Sequence, residues 1–314
     1  MSIVLVVAIL GALFMAISIG ASSVPPAFAP VNSTSSAGLR LSLVAGIFAM
    51  IGAVIQGGNV TDTIGSGLLT GDIVIAQAAS ILVVGSLLVI VSVLTDYPMP
   101  TAFTLVGAVL GSSFAFGDQI IWSSTGVTVS FWILTPLAAI ILGYSLAKVL
   151  RKVISKNSSE DKVNKILFLA GSYVAYTAGA ASVGLAVGPL TSLGQPLIYL
   201  LIFGGMAILI GAWMFSPRII HVISYDYSNV GPRRSTAALL ASGLIAQIGI
   251  QMGVPVSFSL AIIPAVIGSG LVEGTGNKNT RKIGFTVLRW ISAFFLAGIL
   301  TFLLGEFWQW TGYV

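Results

Sequence analysis

Charge divides this sequence. Residues 2–39, 41–61, 73–95, 97–117, 119–147, 166–217, 235–272 and 290–305 contain no Asp, Glu, Lys or Arg. A helix that crosses the hydrocarbon of a bilayer needs roughly 20 apolar residues, so each of these stretches can hold a crossing, and 166–217 and 235–272 hold two elements each. The chain is 56% hydrophobic and only 7% charged, against about 25% charged in an average soluble domain. That is too little charge to coat a soluble globule, and disorder would need the opposite balance. A soluble enzyme and a disordered chain are both excluded. Closed β-barrels also span membranes, but period-two alternation of apolar and polar residues is missing. The expected class is an all-α integral membrane protein.

Dividing the apolar stretches at Gly and Pro clusters predicts about ten transmembrane elements. They lie at 2–19, 40–57, 73–95, 100–116 and 128–150, then 165–180, 197–215, 235–252, 258–272 and 283–305. The elements at 100–116 and 258–272 are short and hydroxylated, which suggests broken or re-entrant helices. The first stretch has no basic n-region and runs into further spans, so it reads as a retained span rather than a cleaved signal peptide. Short cytoplasmic loops are enriched in Lys and Arg. With ten crossings and an external N-terminus, all fourteen basic residues fall on one side: Arg40, the run from Lys148 to Lys165, the group Arg218, Arg233 and Arg234, and the group Lys278 to Arg289. Asp62, Asp72, Asp118 and Glu306 fall on the other. This predicts a multi-pass protein of the cell membrane with both termini external and its basic loops cytoplasmic. The pI near 9.6 then reflects topology and anionic lipid, and no nucleic acid is expected.

The chain also repeats itself. At an offset of 159, Gly20, Ala21, Ser23, Val24, Ala27 and Pro30 recur as Gly179, Ala180, Ser182, Val183, Ala186 and Pro189, and Ile51, Gly52 and Ala53 as Ile210, Gly211 and Ala212. At 157, Pro98, Ala108, Val109, Gly111 and Ser112 recur as Pro255, Ala265, Val266, Gly268 and Ser269; at 158, Trp132 recurs as Trp290. Each half has five elements, an odd number, so the second enters the membrane from the opposite side. This predicts two inverted-topology repeats, 1–150 and 165–314, joined by a polar cytoplasmic linker at 151–164 within one membrane domain. Transporters built this way place substrate near the midplane between repeats.

Two pairs of motifs carry the candidate chemistry. Gly20-Ala-Ser-Ser-Val-Pro-Pro-Ala27 and Gly179-Ala-Ala-Ser-Val-Gly-Leu-Ala186 are rich in small residues. They read either as non-helical backbone lining a cavity, with Ser22, Ser23 and Ser182 as hydroxyl donors, or as close helix packing. Tyr97-Pro-Met-Pro-Thr-Ala-Phe-Thr104 and Val254-Pro-Val-Ser-Phe-Ser259 place Pro and hydroxyls at a helix start. There Thr101, Thr104, Ser257 and Ser259 serve either as anion donors or as plain caps. No basic residue lies deep in a span, so a bound anion would rest on helix ends and hydroxyls.

At these residues the sequence resembles the inorganic phosphate transporter (PiT) family, in which each half carries a Gly-Ala-Asn-Asp-Val-Ala-Asn-Ala type motif and a later Pro-Val-Ser-Thr-Thr-His type motif. The resemblance covers nearly the whole chain, including Ser130-Phe-Trp-Ile-Leu-Thr-Pro136 and Ala186-Val-Gly-Pro-Leu190. It implies uptake of a tetrahedral oxyanion, usually phosphate, coupled to sodium or protons. It departs from the family at telling positions. The Asn-Asp pairs are Ser22-Ser23 and Ala181-Ser182, the later Asn positions are Pro26 and Leu185, and His is replaced by Phe103 and Leu260. The carboxylates that a sodium-phosphate symporter would use for the cation are absent from both motifs. Ile19-Gly-Ala-Ser is similar to the first motif of the family's sulfate-permease branch.

The remaining polar residues read more plainly. Asp62 and Asp96 lie at span ends as loop charges, His221 beside Arg218 as a surface histidine, and Trp308 with Trp310 as an interfacial belt. Gln247 and Gln251, one turn apart, line a pathway or pair between helices. With no Cys and one His, a metal site, a cofactor and acid-base catalysis are not expected, and the chain is read as no enzyme. The leading expectation is an ion-coupled secondary transporter for phosphate working by alternating access. A sulfate permease and a passive anion channel are the alternatives. Expected partners are inorganic phosphate or sulfate, membrane lipid and, in a homodimer, a second copy.

Overall fold

The computed structural model describes residues 3–28, 38–95, 100–153, 160–222, 231–273 and 280–312. Among these residues there is no strand, only an isolated bridge between Leu69 and Ile120. The helices are α1 (Ile3–Ser23), α2 (Gly38–Gln56), a short α3 (Gly58–Asp62), α4 (Ile75–Leu94), α5 (Thr101–Phe116) and α6 (Trp122–Val153). They continue as α7 (Glu160–Val187), α8 (Leu197–Val222), α9 (Pro232–Gln251), α10 (Phe258–Gly270) and α11 (Thr280–Trp310).

Each of the ten predicted elements corresponds to one helix, and three differences have physical reasons. First, α6 and α7 overrun their predicted bounds of 128–150 and 165–180, because Ser and Thr at 123–128 and charged residues at 160–165 are tolerated where a helix emerges from hydrocarbon. Second, α3 was not predicted. Gly57 and Gly58 break α2, and a helix bent by 68° from it continues to Gly67, its last five residues as a π-turn. Third, the second small-residue motif, Gly179–Ala186, lies wholly within α7, whereas in the first Gly20–Ser23 end α1 and Pro25–Ala27 form a 3₁₀ turn. A 3₁₀ turn at Gly188–Leu193 follows the second.

Among the described residues, six helices are long and apolar enough to cross a membrane, or seven if the bent α2–α3 pair counts as one span. The helices α5 and α10 have 16 and 13 residues, which at 1.5 Å per residue is about 24 and 20 Å against a hydrocarbon core of about 30 Å. Left-handed Gly117 closes α5, and Gly253, also left-handed, turns the chain out of α9 into the second Pro-Ser motif.

The halves pack as a two-fold pair. The helix α1 packs on α8 as α7 packs on α2, and α1 on α4 as α7 on α9. Likewise α5 packs on α11 as α10 packs on α6. The correspondence holds for single residues. A Cβ on Gly20 would collide with the backbone at Ile208, and one on Gly179 with the backbone at Ala49; both partners, like both glycines, are 159 apart. These glycines let helix backbones touch, so the packing reading of the first motifs holds for them. At the α2–α8 contact, Gly46 faces Leu209 while Gly205 faces Met50. Stepping forward one turn on α2 therefore steps back one turn on α8. Two antiparallel helices exchanged by a two-fold have that axis perpendicular to them. For spanning helices the axis lies in the membrane plane, which is the geometry of an inverted repeat.

Candidate functional site

The seven hydroxyls singled out in the sequence are all buried. Their hydrogen bonds differ, and the differences separate structural from available groups. In the first motif, Ser22 Oγ reaches Ile19 O at 3.4 Å and Ser23 Oγ at 3.5 Å. Both are at the limit of a hydrogen bond. Ser182 is fully buried, and its Oγ has no hydrogen-bond partner. Most buried polar groups are paired, and leaving one unpaired costs about 1–3 kcal/mol.

The second motifs sit at helix N-termini. Pro100 is the extended residue before α5, and the amides of Phe103 and Thr104 turn back to its carbonyl. The amides of Thr101 and Ala102 precede them and have no acceptor within the helix. Thr101 Oγ1 is buried without a partner, while Thr104 Oγ1 reaches Pro100 O at 3.5 Å. Ser257 occupies the cap position of α10 yet makes no side-chain cap bond; its Oγ pairs with Ser259 Oγ at 3.0 Å. Plain capping therefore explains neither Thr101 nor Ser257. The amides of α10's first turn are left facing outward from the helix, where its dipole favours negative charge.

Trp132 ties the two second motifs together. Its indole Nε1–H donates to Pro255 O at 2.9 Å, and its ring stacks on Phe103 with centroids 4.0 Å apart. Sequence reading noted Trp132 as a repeat partner of Trp290 and within the Ser130–Pro136 stretch, but not as a tie between motifs, since nothing in spacing reveals a bond across 123 residues. Phe103 and Leu260, at the family's His positions, both line an apolar cleft with Trp132 and Trp290. Neither contributes a polar group.

The candidate residues form neighbouring sets. Helix α5, which carries Thr101, packs on α7, which carries Ser182, and α1 also packs on α7. The end of the first motif meets α7 near Gly171, which faces Ala27 O, and Phe28 meets Phe168 edge-on. Ser182 lies eleven residues beyond Gly171, about 16 Å along the helix, and no hydrogen bond joins it to Ser23. Segment 57–67 covers the other side of α7: Gly184 abuts Thr61, Gly188 abuts Ile64, and Asn59 Nδ2 donates to Ile250 O at 3.4 Å. The only forewarning of this cover was the Gly57-Gly58 pair. Gln247 Oε1 is buried without a partner and Gln251 is exposed, so these two do not pair as a buried couple. Asp62 is exposed. Asp96, Tyr97 and Pro98 lie outside the described residues, as does the His221 side chain. Among the described residues, no cluster of His, Asp or Glu could hold a metal ion.

The signature of the phosphate transporter family matches residues 19–168 and 155–301, nearly the whole chain. The chain belongs to this family. Among relatives, the sulfate permease CysP of Bacillus subtilis is 28% identical over 95% of this chain and 86% of its own length. A Methanocaldococcus jannaschii protein named as a phosphate permease is 23% identical over 92% of each. A solved structure titled "The sodium-dependent phosphate transporter" superposes with a TM-score of 0.82 over all of both chains at 18% identity, which establishes the shared fold. Family and apolar helices agree on a multi-pass membrane protein of a transporter family. Of the seven candidate hydroxyls, the two without a partner, Ser182 and Thr101, stand in the two motif regions; Ser92, Thr125, Thr135, Ser172 and Thr301 are also buried without one.

Proposed function

We propose that this chain is a secondary transporter for a fully ionised tetrahedral oxyanion, sulfate in preference to phosphate. It would work by alternating access about the internal two-fold, with substrate held by Ser182, Thr101 and the first-turn amides of α5. Ser22, Ser23, Thr104, Ser257 and Ser259 complete the polar surface. The observation that carries this reading is the pair of buried, unpartnered hydroxyls at Ser182 and Thr101, on helices that pack together. A ligand that only accepts hydrogen bonds satisfies both.

The preference for sulfate follows from protons. Phosphate groups titrate near neutral pH and present an O–H that is best met by a carboxylate. The motif positions hold Ser, Ala, Pro, Leu and Phe, with no carboxylate. Sulfate has no proton to place. The sulfate-permease name of the Bacillus relative points the same way. The missing carboxylates also argue against the usual sodium ligands, so we infer coupling to protons or none. Family membership favours phosphate as the second reading. We further infer insertion in the cell membrane with both termini outside.

The test is uptake into proteoliposomes of labelled sulfate and phosphate, each under sodium and proton gradients imposed separately. Sulfate accumulation without sodium is the expected outcome. Phosphate accumulation that requires sodium refutes the substrate and the coupling together. Downhill flux with no accumulation under either gradient indicates a channel.

A further inference from the structure

A second, apolar feature lies beside the second motifs, where Phe103 and Leu260 form part of its wall. The outer faces of α6 and α11 diverge around a cleft of about 340 Å³ lined by symmetry-related pairs: Trp132 with Trp290, Val129 with Val287, and Ile133 with Ile291. A further cavity of about 700 Å³ continues along the same face of both helices, from Trp122 and Thr125 on α6 and Phe295 to Phe302 on α11. From Trp122 to Ile140 the groove follows one face of α6 for about 27 Å, close to the thickness of bilayer hydrocarbon. Its rims are exposed and apolar: Ile133 is 64% exposed and Ile291 50%, whereas the Trp132 and Trp290 rings at its floor are 5% exposed.

We propose that this groove is a binding site for the acyl chain of a bilayer lipid. In a membrane-spanning chain, the medium bathing an apolar face at this depth is hydrocarbon. Its dimensions set the occupant. The inner cleft extends from Val129 to Ile140, about 16 Å of helix, so its volume corresponds to a cross-section of about 20 Å². A helix about 10 Å across needs roughly 80 Å². A single file of methylenes fits along its length, whereas the backbone of a helix from a second copy stays outside the cleft. Chemistry agrees with size, since no polar atom is presented along the inner cleft and Trp132 spends its only donor on Pro255 O. The acyl chain rests against Phe103 and Trp132, and so against the groups that tie the two second motifs together.

The experiment reads Trp132 directly. In a variant with the other five tryptophans replaced by Phe, emission is measured in vesicles of phosphatidylcholine brominated at mid-chain. A sister variant keeps only Trp213, which is 46% exposed, as the lipid-facing reference. Quenching of Trp132 to at least half that of Trp213, reduced at least twofold by Val129→Phe with Ile133→Phe, is the expected result. If that filling pair does not fold, Val287→Phe with Ile291→Phe fills the cleft from the opposite wall. Weaker quenching of Trp132 overturns the proposal, as does quenching that filling leaves unchanged. Disulfide-linked dimers through Ile133→Cys, together with absent quenching, overturn it in favour of a second copy. None of these outcomes depends on which anion is carried.

Discussion

Replacing Ser182 by Ala has opposite consequences for folding and for binding if its hydroxyl serves the anion. The Oγ is fully buried with no partner, so the folded protein bears the desolvation of a polar group without compensation, about 1–3 kcal/mol. Removing it leaves a methyl at a fully buried position of α7, and thermal stability without anion holds or rises. Anion binding loses a donor, again about 1–3 kcal/mol, or roughly fivefold to 150-fold in affinity at 1.4 kcal/mol per decade. Stabilisation by ligand follows the logarithm of its concentration over Kd, so a tenfold weaker site forfeits about 1.4 kcal/mol of sulfate-induced stabilisation. The assay is thermal unfolding in detergent with and without sulfate, paired with uptake KM in proteoliposomes. A donor serving only the fold gives the reverse pattern: lower stability in the absence of sulfate with an undiminished sulfate shift. That result refutes the reasoning.

Thr101→Val is isosteric and removes the second orphaned hydroxyl; sulfate KM should rise about five- to a hundredfold, and its effect should combine non-additively with Ser182→Ala because the two share one ligand. Ser257→Ala behaves differently, since it strands Ser259 Oγ, and unfolding should show a loss of about 1 kcal/mol before any anion is added. Trp132→Phe keeps the stack on Phe103 but leaves Pro255 O without its donor, lowering stability by about 1–3 kcal/mol and weakening uptake, read by melting temperature and initial rate. Single cysteines at Asn157 and Thr311 in this Cys-free chain should react with impermeant maleimide from opposite sides of the membrane; labelling from the same side overturns the inferred topology.

Much of the architecture was legible because hydrocarbon imposes simple rules. Charge-free stretches located each long helix, and the 159-residue offset identified residues that the two-fold makes equivalent, Gly20 and Gly179 among them. What sequence left open was the state of the small-residue motifs. Gly, Ala and Ser weaken a helix in water, yet in a tightly packed interior they allow backbone contact that side chains would prevent, and α7 runs unbroken through Gly179 and Gly184. The α3 segment escaped because a five-residue helix after a glycine pair has no periodicity to detect. At the site, residue type and helix-start position flagged all seven hydroxyls. The partners of the other five all lie within four residues, but whether a rotamer reaches such a neighbour is not written in residue type, and only the structure separates Ser182 and Thr101 from the paired Ser257 and Ser259.

The two-fold that organises packing does not extend to the second motifs' chemistry. At the 157-residue offset, Thr101 corresponds to Phe258 and Thr104 to Ala261, while Ser257 corresponds to Pro100 and Ser259 to Ala102. Each copy therefore has hydroxyls where the other has apolar side chains or proline. Only Ser23 and Ser182 match, and of that pair Ser182 alone has no hydrogen-bond partner. The shared backbone frame supplies two equivalent helix N-termini, but in the second motifs the hydroxyl without a partner is Thr101 of α5. If the proposed site on α5 and α7 holds the anion, it lies off the symmetry axis, and rocking one repeat against the other would exchange unlike surroundings around it. Under that proposal, symmetric packing would make the two end states similar in energy, and the asymmetric hydroxyls would decide which side chains hold the substrate in both.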